Sequence, residues 1–215
     1  MYSGVIIGIT EIFIYLFVSI ILYCSNRTKL KNMSKITYFW SLMTVLTGIW
    51  EATFVTNYKL VSEYASQLLE NKEHVWTNNY DLTYILPNKL SHIFYAEYGA
   101  YADREYMTLK NDWSRYIEST HALFCALFSM LAIHYKLKGD NKKYLVNMSI
   151  SMGSQLMNSI LYIANYYIEI SNPTNINYNS TSFPTGILLS KRPFMWVNIF
   201  WILMPTYSIF ELLLS

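Results

Sequence analysis

Glu118 and His121 stand three residues apart in "RYIESTHALFCALF", at the head of a long apolar run. On a helix that spacing puts a carboxylate and an imidazole on one face. Two ionisable groups held together can pass a proton in both directions if their environments separate their pKa values. A carboxylate inside an apolar helix costs about 2.5 to 3.5 kcal/mol to place in a bilayer, so such groups face a bundle interior or a cavity. Glu51, in "GIWEATF", is a second acid of this kind. Glu11 is a third. With no local partner, it is expected to bond to a neighbouring helix or reach outward. Glu211 lies near the end of its apolar run and is expected to reach an interface.

Two further runs carry polar groups at helical spacing. Ser151, Gln155, Asn158 and Tyr162 step by four, three and four, one helical face. They serve equally as interhelical hydrogen bonds or as the polar wall of a cavity. In "VNIFWILMPTYSIF", Asn198, Trp201 and Pro205 share a face, and Pro205 frees a backbone carbonyl.

These groups must be carried by long apolar helices. About 20 apolar residues cross a bilayer, and five stretches qualify, at about 5–24, 37–56, 117–135, 145–168 and 193–214. The first is read as a retained span and not a signal peptide, because its apolar region is long and no small-residue cleavage site follows. The connection after the first span carries Arg27, Lys29, Lys31 and Lys35 without an acid. The connection after the third carries Lys136, Lys138, Lys142 and Lys143 against Asp140 alone. Five spans put both connections on one side, and basic loops mark the inside. Glu51 and Glu118 then come to similar depth near the outer leaflet. The long outer connection, 57–112, holds an amphipathic helix over "LVSEYASQLLENKEHVW", with Val61, Tyr64, Leu68 and Val75 on one side. The aromatic stretch "FYAEYGAYADREYMTLKNDW" after it is expected at the membrane interface. A formal glycosylation sequon at Asn179 is given little weight in so Asn-rich a chain.

Composition agrees. Of 215 residues, 53% are hydrophobic and 14% charged, where a soluble domain is nearer a quarter charged. Mean hydropathy is +0.19. A net charge of +2, with no basic run among stacking aromatics, excludes nucleic acid. Cys24 and Cys125 both fall in apolar runs, which argues against a disulfide framework. The four histidines have no metal-ligand spacing, and no phosphate-binding or nucleophile-elbow motif is present, so neither metal nor cofactor is expected. The chain reads as one domain: an all-α integral membrane protein of five helices with a partly helical outer lobe.

The order of these segments resembles the emopamil-binding family of sterol delta-eight to delta-seven isomerase-like proteins, and more broadly the EXPERA membrane fold. The likeness covers about residues 37 to 212. It is carried by "WSLMTVLTGIWEATFVTNY" with Glu51, "YADREYMTLKNDW", "YIESTHALFCALFSM" with Glu118, and "VNIFWILMP" with Asn198, Trp201 and Pro205 at N-x-x-W-x-x-x-P spacing. Gln155 and the "ILY" that follows it echo the fourth helix. The resemblance implies five helices and a site where one acid protonates a sterol double bond. A second group then removes a proton one carbon away, and a tryptophan face stabilises the cation. Glu118 takes the position of the family's essential acid. One exchange stands out: the family has a His four residues before the helix-two Glu, where this chain has Thr47. It has a Thr three residues after the helix-three Glu, where this chain has His121.

Two functions follow as expectations. The first is a catalytically lapsed accessory subunit that holds a membrane lipid or sterol within a larger complex, such as a respiratory or ATP-synthase assembly of the mitochondrial inner membrane. Its ligand residues would be Thr47, Gln155, Asn158, Tyr162, Asn198 and Trp201. The second is an active isomerase, in the endoplasmic reticulum, with Glu118, Glu51 and His121 as its proton-transfer groups.

Overall fold

The structure, a computed structural model, describes residues 1–102, 112–174 and 193–214. Most of the D-x-R-Y-like stretch and the sequon at Asn179 lie outside the described residues. The described residues are almost wholly helical: α1 (Gly4–Ser25), α2 (Arg27–Leu30), α3 (Lys35–Thr56), α4 (Tyr58–Asn71), α5 (Pro87–Tyr101), α6 (Asp112–Lys138), α7 (Asn141–Ile170) and α8 (Pro193–Leu214). Each expected span falls inside one of the long helices α1, α3, α6, α7 and α8.

Local chemistry explains the helix ends. Ser34 caps α3, its side chain accepting from the Thr37 N–H at 3.0 Å. Pro87 occupies the first turn of α5, where a missing N–H costs nothing. Gly139, at φ 78°, ends α6 in the left-handed conformation, and the Asp140 N–H returns to the Tyr135 carbonyl at 3.0 Å. That turn lets α7 start at once and pack antiparallel to α6.

Two helices, α1 and the Tyr116–Lys138 part of α6, are long and apolar enough to cross a membrane, while Asn198–Leu214 is apolar but shorter. The expectation of five apolar spans is therefore met by two among the described residues. The reason lies in α3 and α7, which carry hydroxyl and amide groups along their length. Those groups point inward: Thr37, Ser41 and Thr44 on α3, and Ser151 and Gln155 on α7, are buried. The large apolar residues Leu145, Val146, Ile150, Met157, Ile160 and Leu161 of α7 are exposed. The same inversion holds on α8, where Ser208 is buried while Phe200, Leu203 and Phe210 are exposed.

Helix α6 packs between α3 and α7, and α8 lies against α7 and α3. Helices α3 and α6 approach closely at Gly48 of α3, where an added Cβ would come within 2.4 Å of the Ala126 Cβ. Apolar packing divides into two cores along α3. One gathers Leu30, Met33, Tyr38, Tyr144, Met148 and Met152 at the end that carries both basic connections. The other gathers Phe54, Val61, Ala65, Leu68, Val75, Leu90 and Ile93 at the lobe end. The middle of α3, between Leu42 and Trp50, belongs to neither.

The lobe differs from the sequence expectation in three ways. The amphipathic helix stops at Asn71, because Lys72 takes the left-handed conformation (φ 58°) and the Glu73 N–H closes onto the Leu68 carbonyl at 2.9 Å. Val75 is buried as expected, but from the following turn. The first part of the stretch expected at an interface, 94–102, is core instead: in α5, Tyr95, Ala96, Glu97, Gly99 and Ala100 are buried against α4 and α3. Finally, the first residues of the chain are bound to the lobe, Tyr2–Ser3 pairing antiparallel with Asn79–Tyr80.

Candidate functional site

The middle of α3 faces a cavity of about 340 Å³, within the range of small-molecule sites. It is built by residues at three-and-four spacing on facing helices. Thr44, Thr47 and Glu51 come from α3, Glu118, His121 and Cys125 from α6, Gln155, Asn158 and Tyr162 from α7, and Asn198 and Trp201 from α8. Every site residue named from the sequence (Thr47, Glu51, Glu118, His121, Gln155, Asn158, Tyr162, Asn198 and Trp201) therefore lines one cavity.

Each acid meets donors from another helix. Glu51 accepts from the Tyr95 hydroxyl of α5 and from Ser119 Oγ at 3.3 Å. Glu118 accepts from Asn158 Nδ2 at 2.9 Å. His121 Nε2 lies 3.1 Å from the Ser154 carbonyl and 3.3 Å from Cys125 Sγ. A carbonyl oxygen can only accept, so Nε2 carries the proton and Nδ1 of the neutral ring holds a lone pair. The α6 pair is thus set by α7, through Ser154 and Asn158 four residues apart. Thr47 is differently placed: its hydroxyl bonds back to the Met43 carbonyl at 2.8 Å, within its own helix. It lines the cavity with that hydroxyl already engaged.

Gln155 is an organiser. Its Oε1 accepts from Trp40 Nε1 at 2.9 Å, and its amide donates to Ser151 Oγ at 3.1 Å. Ser151 in turn donates to the Cys125 carbonyl at 2.9 Å. Trp40 packs edge-on against Trp201, centroids 4.7 Å apart, so the same amide indirectly fixes the aromatic wall. Tyr162 shares a hydrogen bond with the Tyr98 hydroxyl of α5.

Sequence reasoning missed the α5 side of the cavity: Phe94, Tyr95 and Tyr98 line it. Their spacing of one and three residues is helical and was the available signal, but nothing local said that α5 turns inward. Trp50 was also missed. It lines the cavity and donates from Nε1 to Glu11 Oε1 at 3.2 Å, so Glu11 does bond to a neighbouring helix. Among the described residues no three His, Cys, Asp or Glu side chains converge as a metal site.

The chemistry available is proton transfer between two carboxylates and an imidazole, inside walls of tryptophan, tyrosine, phenylalanine and methionine. No protein-family model, curated protein or solved structure matches the chain at a significant level. The likeness to the emopamil-binding family rests on the motifs quoted from the sequence.

Proposed function

We propose that the chain is a five-span membrane protein of the emopamil-binding type, whose cavity holds a sterol-like lipid. The observation that carries this reading is the convergence of all nine site residues named from the sequence, from α3, α6, α7 and α8, on one cavity. Five spans are supported by the inverted surface, with hydroxyls and amides buried and large apolar side chains outside, the arrangement a bilayer demands. Helices α3 and α8 have 22 residues each, about 33 Å of axis against a hydrocarbon core of about 30 Å. Inward-facing polar groups depress their average hydropathy without meeting lipid.

The preferred role is lipid holding by a subunit of a larger membrane assembly. Thr47 stands where the resemblance calls for an imidazole, and its hydroxyl is engaged with Met43. A photoreactive sterol should label the folded protein in membranes, with label on α3 or α8 peptides. A folded sample left unlabelled, with unlabelled sterol failing to compete, counts against the proposal.

A second reading, sterol double-bond isomerisation, is favoured by one observation. His121 lies in the cavity with Glu51 and Glu118, its Nδ1 lone pair available as a base. In this reading Glu118 donates a proton to the double bond, Trp201 faces the resulting carbocation, and a base removes a proton one carbon away. Atoms balance, since one proton enters and one leaves. Complementation of a sterol-isomerase-deficient yeast decides between the roles. Growth with isomerised sterol, lost in both Glu118→Gln and His121→Ala, establishes the enzyme. Failure to complement by well-expressed protein leaves lipid holding.

A further inference from the structure

A second hollow, also of about 340 Å³, lies between α1, α3 and α8. Tyr15, Phe39, Trp40 and Met204 wall it, Lys35 stands at one end, and Met43, which also lines the main cavity, stands at the other. From Lys35 to Met43 the groove follows α3 for about 12 Å of helix axis. The polar atoms of its rings are engaged elsewhere: the Tyr15 hydroxyl donates to the Phe39 carbonyl at 2.6 Å and Trp40 Nε1 to Gln155 at 2.9 Å. The rings therefore offer the groove apolar faces.

Charge is confined to the Lys35 end. Lys35 is exposed and forms no ion pair among the described residues. Arg27, Lys29 and Lys31 precede it, and the basic turn at 136–143 packs at the same end. Of the two acids there, Asp140 pairs with Lys143 at 3.2 Å, and Glu211 accepts from Ser34 and Thr37 without pairing with Lys35. An elongated apolar seat with an unpaired cation at its mouth, within a basic rim, is complementary to an amphiphile with an anionic head.

We infer that this groove binds one anionic glycerophospholipid, its phosphate at Lys35 and an acyl chain along Phe39 toward Met43. The inference rests on the membrane reading above but not on a sterol in the main cavity. A free phosphate would meet only the lysine, and a neutral phospholipid would gain nothing from it.

The test is native mass spectrometry of the full chain in mild detergent, with phosphatidylglycerol or phosphatidylcholine added. One phosphatidylglycerol should be retained in preference to phosphatidylcholine. Lys35→Gln should weaken that retention about fivefold, the factor for one basic residue at an anionic lipid surface. Phe39→Ser should weaken retention of both lipids, and Lys89→Gln, in the lobe, should change neither. Equal retention of the two lipids overturns the inference. So does an undiminished signal in Lys35→Gln, an equal loss in Lys89→Gln, or displacement by inorganic phosphate. A chain that stays soluble without detergent would remove the membrane reading and this site together. Failed sterol labelling with intact phosphatidylglycerol retention would remove only the sterol.

Discussion

Burial without a hydrogen-bond partner penalises the charged form of an ionisable side chain. His92 of α5 shows the consequence for pH. Its Nε2 is buried without a hydrogen-bond partner among the described residues. Burial lowers its pKa, and the nearby Lys89 lowers it further. In an unfolded chain an imidazole titrates near 6.5. Between that value and the lower folded one, the unfolded chain holds the extra proton. This contribution to stability is therefore complete above about pH 6.5 and is lost as pH falls toward the folded value. Thermal unfolding in detergent should show a melting temperature that drops from pH 7.5 to 5.5. His92→Phe should flatten that slope, and an unchanged slope would refute this account. Sequence spacing pairs His121 with Glu118 on one helical face. Its ring orientation comes from the Ser154 carbonyl, a backbone atom that no side-chain motif announces.

At the scale of elements, two junctions hold α3 against its neighbours. Gly48 lets α3 approach α6, where a Cβ would collide with that of Ala126. Gly48→Val should destabilise the protein by about 3 kcal/mol, the upper range for overpacking. Gly48→Ala should be repaired by adding Ala126→Gly, because the collision is between two methyl groups. Chemical denaturation of the two single variants and the double variant measures the coupling, and additive effects would show that the contact is not as described. The second junction is Glu211. The sequence expects it to reach an interface. It accepts from the Ser34 N–H at 2.6 Å and from Thr37 Oγ1, which ties α8 to the start of α3. An acid at a helix N-terminus is also favoured by the helix dipole. Glu211→Ala should cost about 2 kcal/mol, as for a hydrogen bond to a charged group. Glu211→Gln should recover part of it, read from the same denaturation curves.

At the scale of the whole molecule, the two basic connections lie together at one end and the lobe at the other. If the chain spans a bilayer as proposed, these ends lie on opposite sides. With the exposed Cys24 replaced by Ser, single cysteines at Glu70 of the lobe and Lys142 of the basic turn report on this. In sealed vesicles an impermeant maleimide should label one of them, and the other only after permeabilisation. Labelling of both without permeabilisation would exclude the arrangement. The lobe is also where sequence and structure diverged most. Alternation of apolar residues showed a helix over α4. It could not show that α5 packs beneath that helix, because the aromatic residues of α5 suit an interface and a core alike.

By itself, the sequence determined the all-helical class, the positions of the five long helices, the pairing of the basic connections and the faces bearing the polar residues. These follow from 3.6-residue periodicity and from the energetic cost of polar groups in apolar helices, both local properties. Tertiary structure decided which partner each polar group meets. It brought Tyr95 to Glu51, Asn158 to Glu118, Ser154 to His121 and Glu11 to Trp50. It turned Thr47 back on its own helix and closed Glu211 onto α3. Such contacts depend on helix rotation and separation, set by close approaches such as Gly48 against Ala126, and no one segment encodes them.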